Sequence, residues 1–256
     1  MSTPDITSQV VAVCMAIAAG LIGCFALMRR MTLAADAMSH VALPGIGLAL
    51  MLRLNPLAGA LLMLLVGALL IWGIQRRTRI ATETVIGVVF SVALAVGSTL
   101  ASGEELIDAL LGTPGALPLW EALLGIAAAL LVVAFVLRMR NALIVALVSP
   151  DIARTAGVAV ARLDLYFLLA FALTIALGLR YLGVLLMGSL IIIPPAVARR
   201  LARNLDGMFA WSMVVAVLAT VAGSALASLA GRPSGPFIVM SAGALFGLSL
   251  LRRSAA

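Results

Sequence analysis

Asp36 and His40 stand four residues apart in a chain that is otherwise largely hydrocarbon, and His40 is the single histidine among 256 residues. Positions i and i+4 share one face of a helix, so this spacing aims a carboxylate and an imidazole the same way. Both are ligand types that divalent transition metals accept. The run Asp36-Ala37-Met38-Ser39-His40-Val41-Ala42-Leu43-Pro44-Gly45 opens an apolar stretch long enough to cross a bilayer. An ionisable group at membrane depth costs roughly 2.5–3.5 kcal/mol to insert and is usually kept for function. The pair therefore reads as a transit site that partly dehydrates a divalent cation. Two side chains leave the coordination shell incomplete, so water, backbone carbonyls, Ser39 or other helices must supply the rest. Weak ligation suits an ion that has to leave again. Pro44 removes an N–H from the helix and kinks it, and discontinuous helices of this sort present carbonyls to ions. Two plainer readings use the same residues. One is an internal Asp–His hydrogen bond that satisfies two buried polar groups; the other is a cytoplasmic helix end exposed to water.

The elements that must carry this pair are membrane helices. Hydrophobic residues make up 64% of the chain, charged residues 11%, and mean hydropathy is +1.23. Soluble domains carry about 25% charged residues, so composition implies an all-α polytopic membrane protein. Apolar runs fall near 6–28, 32–52, 56–74, 83–101, 119–137, 164–180, 182–198, 208–230 and 235–251. A hydrocarbon core of about 30 Å needs about 20 helical residues, which makes the runs at 164–180, 182–198 and 235–251 short. Nine crossings with the N-terminus outside put every arginine except Arg53, Arg180 and Arg232 on the cytoplasmic side, as the positive-inside rule requires. A re-entrant last run reduces the count to eight. The expectation is therefore eight to nine spans in one transmembrane domain, residues 1–256, with no linker composition and no evident repeat.

The net charge of +7 comes entirely from arginine, without a single lysine, and the arginines cluster at the ends of apolar runs. This pattern matches lipid boundaries and excludes nucleic acid as a partner. Cys14 and Cys24 lie about 15 Å apart along one helical run, too far to bridge. The N-terminus lacks the basic stretch of a cleavable signal peptide, so the first run is expected to remain as a span.

Other motifs have a bland and a functional side. Glu83 opens a run in which Thr82 could serve as the cap and the carboxylate would favour the helix dipole; it is also a candidate pathway residue. Glu104, Glu105 and Asp108 sit in an outer loop, either merely solvated, drawing cations to the mouth or receiving a basic partner surface. Ser149, Pro150 and Gly157 frame a short helix at Asp151-Ile152-Ala153-Arg154, placed as cap, first-turn proline and terminator. It is either an interfacial lid or a docking element. Absence of lysine excludes a standard phosphate-binding loop, so ATP energy would have to come from another polypeptide. No HExxH run is present, and one histidine without further converging ligands argues against a membrane metalloenzyme.

Three stretches together resemble the ABC-3 metal permeases of bacterial importers for manganese, zinc or iron. They are Arg29-Arg30-Met31 with Asp36-Ala37-Met38-Ser39-His40 and Leu43-Pro44-Gly45; Glu83 to Ser91; and a C-terminal half. That half runs from Asp151-Ile152-Ala153-Arg154 with Gly157-Val158, through Leu182-Gly183-Val184-Leu185-Leu186 and Ile193-Pro194-Pro195-Ala196, to Pro233-Ser234-Gly235-Pro236. Such permeases commonly show a single proline where this chain has Pro194-Pro195. The resemblance implies a type II importer-like permease in the bacterial inner (plasma) membrane, with two copies forming the pore. It implies a separate ATP-binding cassette subunit in the cytoplasm and an extracytoplasmic metal-binding protein that delivers the ion. It gives Asp36 and His40 the role of metal passage; the residues themselves add Ser39, Pro44 and Glu83 as candidates for the pathway or for contacts that support the pair. Pro150, Asp151, Arg154 and Gly157 become the element that couples to the ATPase. The cargo is a transported divalent ion (manganese, zinc or iron), and no permanently bound cofactor is implied. A self-sufficient proton-coupled metal carrier is the alternative.

Overall fold

Lipid cannot hydrogen-bond the backbone, so long apolar segments must satisfy their own N–H and C=O groups. Among the described residues every element is a helix. The computed structural model describes residues 6–31, 33–78, 80–100, 118–181 and 184–251. Its helices are α1 (Ile6–Met28), α2 (Ala34–Val41), α3 (Leu43–Met51), α4 (Pro56–Arg77), α5 (Thr82–Leu100), α6 (Leu119–Val148), α7 (Pro150–Thr155), α8 (Val160–Tyr181), α9 (Val184–Leu201), α10 (Leu205–Ala230) and α11 (Ser234–Leu251). Among the described residues eight segments are long and apolar enough to cross a membrane, with α2 and α3 counted together. Helix α9 adds a further 18 residues despite Pro194 and Pro195 in its interior. Helix α11 runs unbroken for 18 residues along α10, not as a re-entrant loop.

Helix α1 forms the axis of the bundle, enclosed by α6, α9 and α10. Its stretch from Met15 to Ala26 is almost wholly buried. Small residues permit this: Gly23 meets the Ile191 carbonyl of α9 at backbone distance, and the Ser212 hydroxyl of α10 donates to the Gly20 carbonyl at 2.8 Å. Close approach of this kind replaces the hydrophobic drive that lipid removes.

Several boundaries differ from the apolar runs, for one physical reason. Helix α6 continues through Arg138 and Arg140 to Val148, and α8 begins at Val160. Arginine is a good helix former whose charged head reaches water past an apolar stem, so the helix outlasts the hydrophobic stretch. The connection expected over 141–163 shrinks to α7 and two turns. Thr82 is the first residue of α5, and Ala81 occupies the cap position, its carbonyl accepting from Val85 N at 3.2 Å. Glu104, Glu105 and Asp108 lie outside the described residues.

The expected break near Pro44 falls at Ala42, between α2 and α3. Pro44 has no N–H to offer the His40 carbonyl four residues earlier, and Ala42 N instead reaches back to Ser39 O at 3.4 Å. The turns on either side of α2–α3 share one design. Arg30 (φ 59) and Arg53 (φ 55) adopt the left-handed conformation. Met31 N bonds Ala26 O at 2.8 Å, and Leu54 N bonds Ala49 O at 2.8 Å, closing each preceding helix in the six-to-one pattern.

Helix α3 lies in a groove walled by glycines of its neighbours. A Cβ on Gly45 would collide with the Gly59 carbonyl of α4, and one on Gly59 with the Gly45 carbonyl. A Cβ on Gly97 of α5 would come within 2.9 Å of Leu43 Cβ. Gly45→Val is expected to cost on the order of 3 kcal/mol by overpacking, read as a lowered thermal midpoint in detergent. Gly73→Ala, at a position where a Cβ meets nothing within 4 Å, should leave the midpoint unchanged.

Candidate functional site

Helix α2 is only eight residues long, yet it touches α5 and α9 strongly and α4 and α8 more lightly. Ala34, Ala35, Met38, Ser39 and Val41 face those neighbours and are buried. The opposite face carries Asp36, exposed, and His40, partly exposed. The i, i+4 relation thus holds, and the pair looks outward from this chain and not into its own bundle. Asp36 is in the first turn of α2 and His40 in the last. A carboxylate suits the positive end of a helix.

No hydrogen bond joins Asp36 to His40, and among the described residues Asp36 has no cationic partner. The internal-pair reading therefore finds no support. Beside Asp36 stands Gly188 of α9, where a Cβ would lie 3.6 Å from Asp36 Oδ1. A glycine here keeps the carboxylate uncovered. The imidazole of His40 tilts against Phe90 of α5, with ring centroids 5.6 Å apart and planes at 57°. Its Nδ1 is buried without an acceptor among the described residues, which leaves Nε2 as the nitrogen an ion could reach.

The Ser39 hydroxyl is buried and donates to the Asp36 carbonyl at 2.6 Å, so it points away from the exposed pair. Pro44 is buried at the start of α3, where it sets the break. Glu83 is exposed in the first turn of α5 and forms no hydrogen bond or ion pair with described residues. Among the described residues no three His, Cys, Asp or Glu side chains converge on one metal position. One chain thus offers a carboxylate and an imidazole, half of a typical four-ligand set.

A second assembly gathers at the end of the bundle where α1, α4 and α6 finish and α8 and α10 begin. Ser149 caps α7 by accepting from Ile152 N at 3.3 Å, with Pro150 in the first turn. Gly157 takes φ +81 just after it, and Val158 N bonds Ala153 O at 2.9 Å. Asp151 and Arg154 pair at 2.6 Å but are largely solvated. Ile152 and Val148 are 61% and 79% exposed, so this end displays apolar side chains around a rigidly capped helix. Sequence reasoning placed α7 well but missed Gly188, since one glycine among 23 carries no signal of what it faces. Phe90 lay in a quoted motif without a role, because its contact with His40 joins two helices far apart in the chain.

A bundle of membrane-length helices whose one broken helix turns an ionisable pair outward defines a multi-pass membrane protein of the transporter class. The chain belongs to the ABC 3 transport family, whose profile matches residues 6–253. It is 27% identical over 237 residues to the high-affinity zinc uptake system membrane protein ZnuB of Haemophilus influenzae, covering 91% of each chain. Identity to the manganese transport system membrane protein MntC of Halalkalibacterium halodurans is 28% over 243 residues, covering 93% of this chain and 83% of that one. The solved structure of PsaBC from Streptococcus pneumoniae in complex with Fab superposes with a TM-score of 0.83 at 25% identity. That match covers 97% of this chain and 91% of the other. An ABC transporter solved in an inward-facing conformation reaches a TM-score of 0.75 at 17% identity, a likeness of fold alone.

Whether the α2 face meets water or lipid is directly measurable. In a variant with Cys14 and Cys24 replaced by Ala, single cysteines at positions 36 and 40 are expected to react with a charged thiosulfonate reagent. A cysteine at the fully buried Met38 should stay unreactive. Thiols react as thiolates and need water, so inert cysteines at 36 and 40 would mean that this face lies against acyl chains.

Proposed function

We propose that the chain is the membrane permease subunit of an ATP-driven importer for a divalent transition-metal ion, acting as a single transmembrane domain over residues 1–256 in the bacterial inner membrane. Zinc or manganese is the expected cargo, from the two relatives named for those ions; iron(II) accepts the same ligand types. The observation that carries this reading is the outward face of α2, which holds an unpaired carboxylate and an imidazole in a membrane-length segment. Left to lipid, that face would be strongly unfavourable. A second copy of this chain, related by a two-fold axis, would bring an equal face opposite it. Two carboxylates and two imidazoles would then line one aqueous passage.

In that passage Asp36 supplies charge and exchanges for part of the ion's water shell, while His40 offers Nε2. Ligation shared between two mobile subunits, with water completing the shell, holds the ion briefly and lets it go. An extracytoplasmic binding protein would deliver the ion. The energy would come from a separate ATP-binding cassette subunit, because a chain without lysine has no Walker A lysine of its own. The capped α7, with Ile152 and Val148 exposed beside it, suits the docking of that subunit.

Asp36→Ala and His40→Ala are each expected to abolish uptake of radioactive zinc or manganese in cells while the protein still reaches the membrane in normal amount. Normal uptake by both variants would remove the pair from the pathway. Gly188→Leu should reduce uptake nearly as far by covering Asp36, whereas Gly188→Ala, at ordinary contact distance, should be tolerated. Purified protein that carries metal down a proton gradient without ATP would make it a self-sufficient carrier instead.

A further inference from the structure

The ion pair between Arg29 and Asp164 connects two parts of the molecule that the permease reading leaves separate. Arg29 follows the last residue of α1 and precedes the left-handed turn at Arg30 that launches α2, the helix of Asp36 and His40. Asp164 lies near the start of α8, just after α7 and the Gly157 turn. Arg29 Nη1 meets Asp164 Oδ1 at 2.8 Å, with the side chains only 15% and 35% exposed. The guanidinium carbon also stands 4.4 Å from the ring centroid of Phe167, itself fully buried and stacked on Phe171. Asp164 and Phe167 are three residues apart on one face of α8, so the same short stretch grips Arg29 twice.

That grip is not explained by stability alone. Arg29 Nε is buried with no acceptor among the described residues, and a guanidinium left partly unsatisfied offsets what its ion pair contributes. The pairs Arg140–Asp206 and Asp151–Arg154 are far more exposed and ordinary by comparison. A second bond holds the same end of α8 from the other side: Trp72 Nε1 of α4 donates to the Ala161 carbonyl at 2.7 Å, with Arg76 over the indole ring. Helix α4 in turn carries α3 through the Gly45–Gly59 contact. The first turns of α8 therefore touch both halves of the broken helix, α2 by way of Arg29 and α3 by way of α4.

We propose that the Arg29–Asp164 pair is a coupling strut that transmits displacement of α7 to α2, so that docking or movement of an ATPase at α7 repositions Asp36 and His40. The proposal rests on the permease reading above. Arg29 and Asp164 are positioning residues and touch no ion themselves. Displacement at α7 has only a glycine turn to cross before reaching Asp164, and Arg29 has only the Arg30 turn between it and α2. Breaking the pair removes the one charged link in a connection that otherwise rests on the light packing of α2 against α8, and leaves both ends intact.

The test uses the permease reconstituted in proteoliposomes with its ATPase and the extracytoplasmic metal-binding protein, with zinc as the probe, and measures zinc binding, ATP hydrolysis and zinc uptake on the same preparation. Arg29→Gln and Asp164→Asn should bind zinc as the parent does and still hydrolyse ATP, while zinc moved per ATP falls roughly fivefold or more. The double reversal, Arg29→Asp with Asp164→Arg, should recover part of the ratio. Where a neutral variant fails to assemble, Arg29→Lys and Asp164→Glu keep the charges but change the reach, and a lowered ratio is again expected. An unchanged ratio in every assembled variant overturns the strut, as does loss of zinc binding in step with uptake, which would mark the pair as purely structural. Parent protein that neither binds nor carries zinc or manganese would instead overturn the permease reading.

Discussion

An ionisable pair on the outer surface of a membrane-length segment is the constraint to which the rest of the structure answers. Asp36 is exposed, His40 is only partly covered by its own chain, and Asp36 has no cationic partner among the described residues. Hydrocarbon against that face would cost several kcal/mol. The short α2 eases the cost locally, by setting the carboxylate at the positive end of a helix. What remains requires a polar environment from outside the chain. On the proposed permease reading, assembly and transport would both answer that one electrostatic demand.

Holding such a helix is a packing problem, because eight residues form few internal bonds and a break follows at Ala42. The chain solves it with one buried face on α2, a glycine-walled groove for α3, and left-handed arginine turns at both ends. Glycine serves here by what it omits. Side chains at Gly45, Gly59 or Gly97 would push α3 away from its neighbours, and a bulky one at Gly188 would cover Asp36. Small residues at these crossings allow backbones to meet where lipid supplies no hydrophobic drive.

The end of the bundle around α7 follows another logic, with its charged side chains exposed. Arg140–Asp206 and Asp151–Arg154 are solvated pairs that add little stability. Arg29–Asp164 is more enclosed and shares its guanidinium with an aromatic face. Its location between α7 and α2 makes it a mechanical element more than a stabilising one. The helices that run past their apolar stretches, α6 above all, build this end by carrying arginines into the polar layer.

Composition and periodicity determined by themselves that this is a helical membrane protein, since 64% hydrophobic residues cannot be hidden in a soluble fold of this length. They also singled out Asp36 and His40, because rare ionisable groups in apolar runs stand out, and the Ser149–Pro150–Gly157 punctuation of α7, because capping is local chemistry. Helix ends were less legible at Arg138, Arg140 and Val160, where the backbone continues after hydrophobicity stops. Tertiary structure alone decided which way the pair faces, that Ser39 turns its hydroxyl inward, and that Gly188, Phe90 and Asp164 meet residues more than a hundred, about fifty and more than a hundred positions away. Those facts depend on how distant helices cross, and crossing is set by the sum of many weak contacts that no short stretch of sequence contains.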